Sequence, residues 1–167
     1  DFFDGVGGGA DPEARLKIMK DSAIGVFGAV GLILLLLFKI VCLTAILAQL
    51  TPMKYLLIAA VPALCRWSMA SLAWKATYPR SKGTGHAFVG KVTGSDLILG
   101  GIFLLPALVV GVSAYVLFLF SLMPSVWLRR KSKVALGGVT GDVLGASCEM
   151  GEAAGWLGAL LCLFWIL

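Results

Sequence analysis

The sequence predicts an all-α protein, a polytopic integral membrane helical bundle with about five membrane-crossing segments. Three observations carry that reading. Of 167 residues, 59% are hydrophobic and 14% charged, where a soluble domain of this size averages about half and about a quarter. The mean hydropathy of +0.96 exceeds what one small core can hide from water. The charges, net +5, fall in short clusters between apolar runs long enough to cross a bilayer. This pattern excludes a disordered tail, a disulfide-stapled secreted module and a nucleic-acid binder with one basic face. Cys42, Cys65, Cys148 and Cys162 sit in apolar stretches without CxxC spacing and read as small buried hydrophobes, not as a disulfide or zinc site.

The chain opens on Asp1 with no charged-then-apolar leader, so no signal peptide is expected and the sequence reads as starting inside a motif. Residues 1–22 are polar and glycine-rich and are expected in the cytoplasm. Within them Asp11-Pro12-Glu13 supplies an N-cap, a proline at the first helical position and a first-turn acid. A surface helix is therefore expected from Pro12 to Lys20, with Glu13 and Lys17 paired at i,i+4.

The first span covers about 24–47 and is interrupted only by Lys39; the second covers about 53–74 and is interrupted only by Arg66. A polar loop, 75–95, follows. Residues 97–128 carry no charge, and as one helix they would be about 48 Å long against a hydrocarbon core of about 30 Å. Two short crossings, about 96–110 and 111–128, resolve the excess. That hairpin puts Arg15, Lys17, Lys20, Lys75, Arg80, Lys82, Lys91, Arg129, Arg130, Lys131 and Lys133 on one side and Lys54 alone on the other. Such asymmetry marks the cytoplasmic side. Residues 129–142 form the next cytoplasmic loop, and 151–167 a last span.

Three constellations carry chemistry. Asp1 and Asp4 stand at i and i+3, and two carboxylates held together repel unless a cation lies between them. Mg²⁺ suits that position, because it takes oxygen ligands and shares them with substrate phosphates. Asp142, Glu149 and Glu152 follow a glycine-rich stretch, and at 100° per residue all three share one helical face. Acids entering an apolar run normally face a cation, a polar interior or a pathway. Gly141, Gly145, Gly151 and Gly155 permit close approach of a helix or ligand. The third group is cationic. Lys91, set between Gly90 and Gly94 with Arg80, Lys82 and His86 nearby, can hold phosphate oxygens beside exposed backbone N–H groups. Lys39 and Arg66 lie near mid-span, beyond easy snorkelling, and are expected to face acids or anions inside the bundle. Together these describe a pocket at the cytoplasmic face suited to attack on a phosphoanhydride.

Asp1-Phe2-Phe3-Asp4-Gly5 resembles the second part of the acidic DG-x-A-D-x-x-D-G motif of the cobalamin synthase (adenosylcobinamide-GDP ribazoletransferase) family. Asp21-Ser22 with Gly25 and Gly28, Phe88-Val89-Gly90-Lys91, and Gly137 through Ala146 with Glu149, Gly151 and Glu152 resemble further family stretches in order. The resemblance implies a transferase completing cobalamin assembly in the bacterial or archaeal cytoplasmic (inner) membrane. Its substrates would be adenosylcobinamide-GDP and α-ribazole or its 5′-phosphate, its product beside the cobalamin would be GMP, and its cofactor would be Mg²⁺. Asp1, Asp4 and Asp142 would be metal ligands, with Asp142, Glu149 and Glu152 catalytic. Lys91, Arg66, Lys39, Gly138 and Gly141 would bind substrate. It also implies a chain shortened at its N-terminus, lacking the acid that opens the motif and at least one membrane segment.

Two other readings fit parts of the pattern. A CDP-alcohol-type membrane phosphotransferase also gathers aspartates around metal, but its second Asp-Gly runs into a short Ala-Arg element, whereas Asp4-Gly5 runs into Val6-Gly7. An ion-coupled transporter would use the intramembrane charges as a relay and leaves the glycine–lysine loop unexplained.

Overall fold

Residues 1–165 are described by the computed structural model. Its helices are α1 (Phe2–Gly8), α2 (Pro12–Ile18), α3 (Val26–Leu47), α4 (Met53–Ala73), α5 (Gly94–Ile102), α6 (Val112–Leu136) and α7 (Gly141–Trp165), with 3-10 turns at Thr84–Ala87 and Leu105–Val110. No strand occurs among the described residues, as expected of an all-α membrane bundle.

Local chemistry accounts for the helix ends. The Asp11 carboxylate accepts the Ala14 N–H at 2.8 Å, and Pro12 takes the first position of α2. No Glu13–Lys17 ion pair forms among the described residues, because both side chains stay in water, where such a pair gains little. At the start of α5, Thr93 and Asp96 form a reciprocal capping box. Hydrogen bonds from the Thr93 backbone and hydroxyl hold the Asp96 carboxyl below its ordinary range. Gly137 ends α6 in the left-handed region at φ 76°, where glycine carries no steric penalty.

Among the described residues three helices are long and apolar enough to cross a membrane: α3, α4 from Lys54 and α6. Five crossings are more than this. The segment expected to cross at 96–110 is a nine-residue helix followed by a six-residue 3-10 turn, together about 25 Å long. Pro106 in that turn lacks an N–H, and Gly111 turns the chain at φ 61°. The helix predicted for 111–128 continues to Leu136, since Lys and Arg are good helix formers and leave the apolar layer without ending the helix. The connection to α7 is therefore short, and α7 begins well before the predicted span at 151. The last two residues of that span, 166 and 167, lie outside the described residues. α7, with Asp142, Glu149 and Glu152 in its first half, is not among those three.

Within the bundle α7 is central, packing against α6, α4 and α3. Gly155 makes the closest approach. A Cβ there would sit 2.6 Å from Ser121 Oγ and 2.7 Å from Val61 Cγ1, so α4 and α6 close on α7 only because that position has no side chain. One apolar cluster, with Ile46, Leu57, Val61 and Leu117, fills the middle of the bundle. A second, with Leu72, Val89, Leu128, Leu136 and Val143, fills its loop end and takes in Phe2 and Met19. The large side chains of α3, including Val26, Ile33, Leu34, Ile40 and Val41, are mostly exposed and suit contact with lipid tails.

The loop end gathers distant segments. Arg15 Nη1 donates to the Ala135 carbonyl at 3.1 Å, and Arg129 Nη1 to the Ser71 carbonyl at 3.3 Å. Gly90 N–H donates to the Ala73 carbonyl, and Val139 N–H to the Thr77 carbonyl. The amino-terminal helices, the 74–93 loop, the basic end of α6 and the start of α7 thus share one end of the molecule.

Candidate active site

The start of α7 is shaped by Thr140, whose carbonyl accepts the Leu144 N–H and whose hydroxyl accepts the Val143 N–H at 3.4 Å. Gly138 and Gly141 bring the polar loop onto this turn. A Cβ on Gly138 would lie 2.2 Å from the Thr77 carbonyl oxygen, and one on Gly141 would lie 2.9 Å from Thr84 Oγ1. Gly138 therefore serves close backbone packing. Gly141 lines an apolar cavity of about 410 Å³ with Thr84, Gly85, Phe88, Val92 and Leu144 among others.

Asp1, Asp142 and Glu149 line a second cleft, of about 230 Å³, with Phe2, Phe3, Gly28 and Met150 among its walls. The opening acid and the late acids thus meet at one place, because α1 folds back against α3 and α7. Asp142 and Glu149 are seven residues apart on α7, about 10 Å along its axis, so one at the mouth and one deeper bracket the cleft. Among the described residues no three His, Cys, Asp or Glu side chains stand close enough to cage a metal. A cation here would complete its shell with oxygens from a ligand.

Asp4 does not line this cleft, although the sequence places it among the metal ligands. It is buried, and its two oxygens accept the Gly25 N–H at 3.0 Å and the Gly28 N–H at 2.8 Å. The first N–H groups of a helix lack intrahelical partners, and the helix dipole favours an anion there. Asp4 is the cap of α3, supplied from another helix.

Lys39 is buried among acids, whereas Arg66, expected inside the bundle, has a side chain that is 60% exposed and only borders an acid. Lys39 Nζ donates to Glu149 Oε2 at 2.5 Å and to Glu152 Oε2 at 2.9 Å, and stands 5.5 Å from the Trp156 ring centre. Arg66 Nη1 lies 3.8 Å from Glu152 Oε1 and also contacts Cys148 Sγ. Glu152 therefore ties α7 to α3 and α4 at once. Its carboxylate is engaged by cations, which suits a holding role better than the catalytic one predicted, and Lys39 is likewise saturated by carboxylates. Glu149 is shared, paired with Lys39 yet half exposed to the cleft.

Lys91 lies exposed in the loop after Gly90 and makes no ion pair among the described residues. No spacing singles out Arg80 among the loop cations, yet it pairs with Asp142: Arg80 Nη1 lies 3.4 Å from Asp142 Oδ2. The partners are 62 positions apart, and no spacing rule reaches that far. All four cysteines are free and buried.

The chain is similar to known proteins along nearly its whole length. A family model described as Cobalamin-5-phosphate synthase matches residues 1–160. An adenosylcobinamide-GDP ribazoletransferase of Prosthecochloris aestuarii is 39% identical over 99% of this chain and 68% of its own length. Proteins of the same name from Chlorobaculum tepidum, 41% identical over 99% of this chain and 67% of the relative, and Shigella boydii, 37% identical over 91% and 62%, are also similar. The chain spans about two thirds of the length of these relatives. No solved structure matches. The chain belongs to the Cobalamin-5-phosphate synthase family, a family of membrane transferases.

Proposed function

We propose that this chain transfers the cobinamide phosphate of adenosylcobinamide-GDP to α-ribazole or its 5′-phosphate, with release of GMP, in the last step of cobalamin assembly. The observation that carries the reading is the cleft shared by Asp1, Asp142 and Glu149 at the basic end of the bundle. Family membership and the names of the relatives support these substrates, and favour this reading over a CDP-alcohol phosphotransferase or a transporter.

In this reaction a ribose hydroxyl oxygen bonds to the cobinamide-side phosphorus, and the anhydride bond to GMP breaks. The proton of the hydroxyl passes to a cleft carboxylate, Asp142 or Glu149, and the leaving GMP carries away the anhydride's electron pair. Hard oxygen donors without a full protein cage fit Mg²⁺, which usually binds one or two carboxylates plus substrate phosphates. Asp1 and Asp142 are the residues that would hold it, and when bound it neutralises charge on the phosphoryl group. Lys91, exposed and free of acids, contributes a cation for phosphate oxygens. The concentration of Lys and Arg at the cleft end supports a site facing the cytoplasm from the bacterial or archaeal inner membrane.

The test is a chimera in which this chain replaces the matched part of the Prosthecochloris aestuarii relative. Membranes holding it, supplied with adenosylcobinamide-GDP, α-ribazole and Mg²⁺, are expected to yield GMP and cobalamin by mass spectrometry. Asp142→Asn in the chimera is expected to abolish that yield while leaving membrane insertion intact. An inactive chimera beside an active relative refutes the reading, and full turnover by Asp142→Asn removes Asp142 from the site.

A further inference from the structure

Arg80 has one weak bond and one unused end. Its Nη1 reaches Asp142 Oδ2 at 3.4 Å, a long contact, and the side chain is 21% exposed. Its Nη2 is buried and has no hydrogen-bond partner. A buried guanidinium N–H left unpaired is costly and rare. Asp142 Oδ2 also takes the Thr140 hydroxyl at 3.4 Å, so neither donor holds it tightly. Tyr78 packs edge-on against His86, with ring centres 5.6 Å apart, and Gly85 lies against the Gly141 backbone. This packing fixes the loop that carries Arg80 against the first turn of α7. The guanidinium is thereby held beside a carboxylate of the cleft with part of its planar fork unspent.

We propose that Arg80 is a two-way ligand of the site: it neutralises Asp142 when no cation is bound, and turns to phosphate oxygens of the substrate when a divalent cation takes Asp142. The inference deepens the transferase reading and rests on it for the phosphate-bearing substrate. Its physical basis is competition. A cation and a guanidinium seek the same carboxylate oxygen, so arrival of one weakens the hold of the other. The released fork matches phosphate geometry in a way a lysine does not.

The competition makes opposite predictions for two ligands. In the purified chain in detergent micelles, Mn²⁺ binding is read from the loss of the free-ion electron paramagnetic resonance signal, and GDP binding from equilibrium dialysis. Arg80→Ala is expected to bind Mn²⁺ about threefold more tightly or better, because Asp142 has lost its competitor, and GDP about tenfold more weakly. Arg80→Lys keeps the charge without the fork. It is expected to bind Mn²⁺ as the unmodified protein does and GDP at an intermediate level. Equal helix content and melting temperature show that the variants are folded. Weakening of both ligands marks Arg80 as structural, and a change confined to one ligand leaves it with one partner; either result overturns the proposal. An unmodified protein that binds no GDP also overturns it. Opposite shifts in Mn²⁺ and GDP affinity, combined with no GMP release by the chimera, uphold the two-way ligand and reject the transferase reading alone.

Discussion

Replacing Asp4 separates a metal ligand from a helix cap. The residue is 7% exposed, and its carboxylate accepts two backbone N–H groups, from Gly25 at 3.0 Å and Gly28 at 2.8 Å. A hydrogen bond to a charged group contributes about 1.5–3 kcal/mol, and capping losses run to about 2 kcal/mol. Gly25 is partly exposed, so water replaces one of the two bonds in the variant. Asp4→Ala is therefore expected to destabilise the bundle by about 3 kcal/mol, and Asp4→Asn, which keeps one acceptor, by about 2 kcal/mol. Gly28 supplies an internal control. A Cβ there would lie 2.2 Å from Asp4 Oδ2, so Gly28→Ala expels the carboxylate and costs about as much as Asp4→Ala. With Asp4 already replaced by Ala, the same change meets no carboxylate and gains up to about 1 kcal/mol of helix propensity. The reversal of sign is a coupling that a double-mutant cycle reads directly. The assay is unfolding in mixed detergent micelles followed by far-ultraviolet circular dichroism, with protease sensitivity of the α1–α3 region as a local readout. Unchanged stability in Asp4→Ala, with Mn²⁺ binding lost, would refute the capping account and return Asp4 to the metal.

Other consequences follow from the same geometry. Lys39→Met leaves Glu149 and Glu152 without their shared cation, and is expected to cost about 3–5 kcal/mol in the same unfolding assay; a loss under about 1 kcal/mol would show that the cluster does not hold α3 to α7. Gly155→Leu drives a side chain into Val61 and Ser121 and is expected to cost about 1–3 kcal/mol or more, while Gly145→Ala, whose Cβ meets nothing within 4 Å, is expected to melt slightly higher, gaining up to about 1 kcal/mol of helix propensity. Lys91→Ala in the active chimera is expected to raise KM for adenosylcobinamide-GDP with little change in kcat, the mark of binding felt equally in ground and transition states; an unchanged KM would return Lys91 to the ordinary loop charges.

The membrane class was legible because apolar excess is a property of composition, and because two spans each broken by a single cation have no soluble counterpart. Lys39 and Arg66 were expected to meet acids or anions inside the bundle, since an unpaired charge at that depth is too costly to persist. Which acids they meet was not legible. The shared face of Asp142, Glu149 and Glu152 follows from the helical repeat alone, yet the repeat does not say what stands opposite. In the folded protein that face is divided, Asp142 to Arg80, Glu152 to the intramembrane cations, and Glu149 between Lys39 and the cleft.

What the order of residues determined by itself is local: apolar length, helical repeat, caps such as Asp11 and Thr93, and the family signature. Tertiary structure decided the partners. Asp1 and Asp4 are three positions apart, yet one faces the cleft and the other caps α3, because only Asp4 lies where α1 crosses the glycines that open that helix. Whether a carboxylate is free for chemistry depends on which donors packing brings to it across 20 to 110 positions, and no periodicity in the chain encodes that distance.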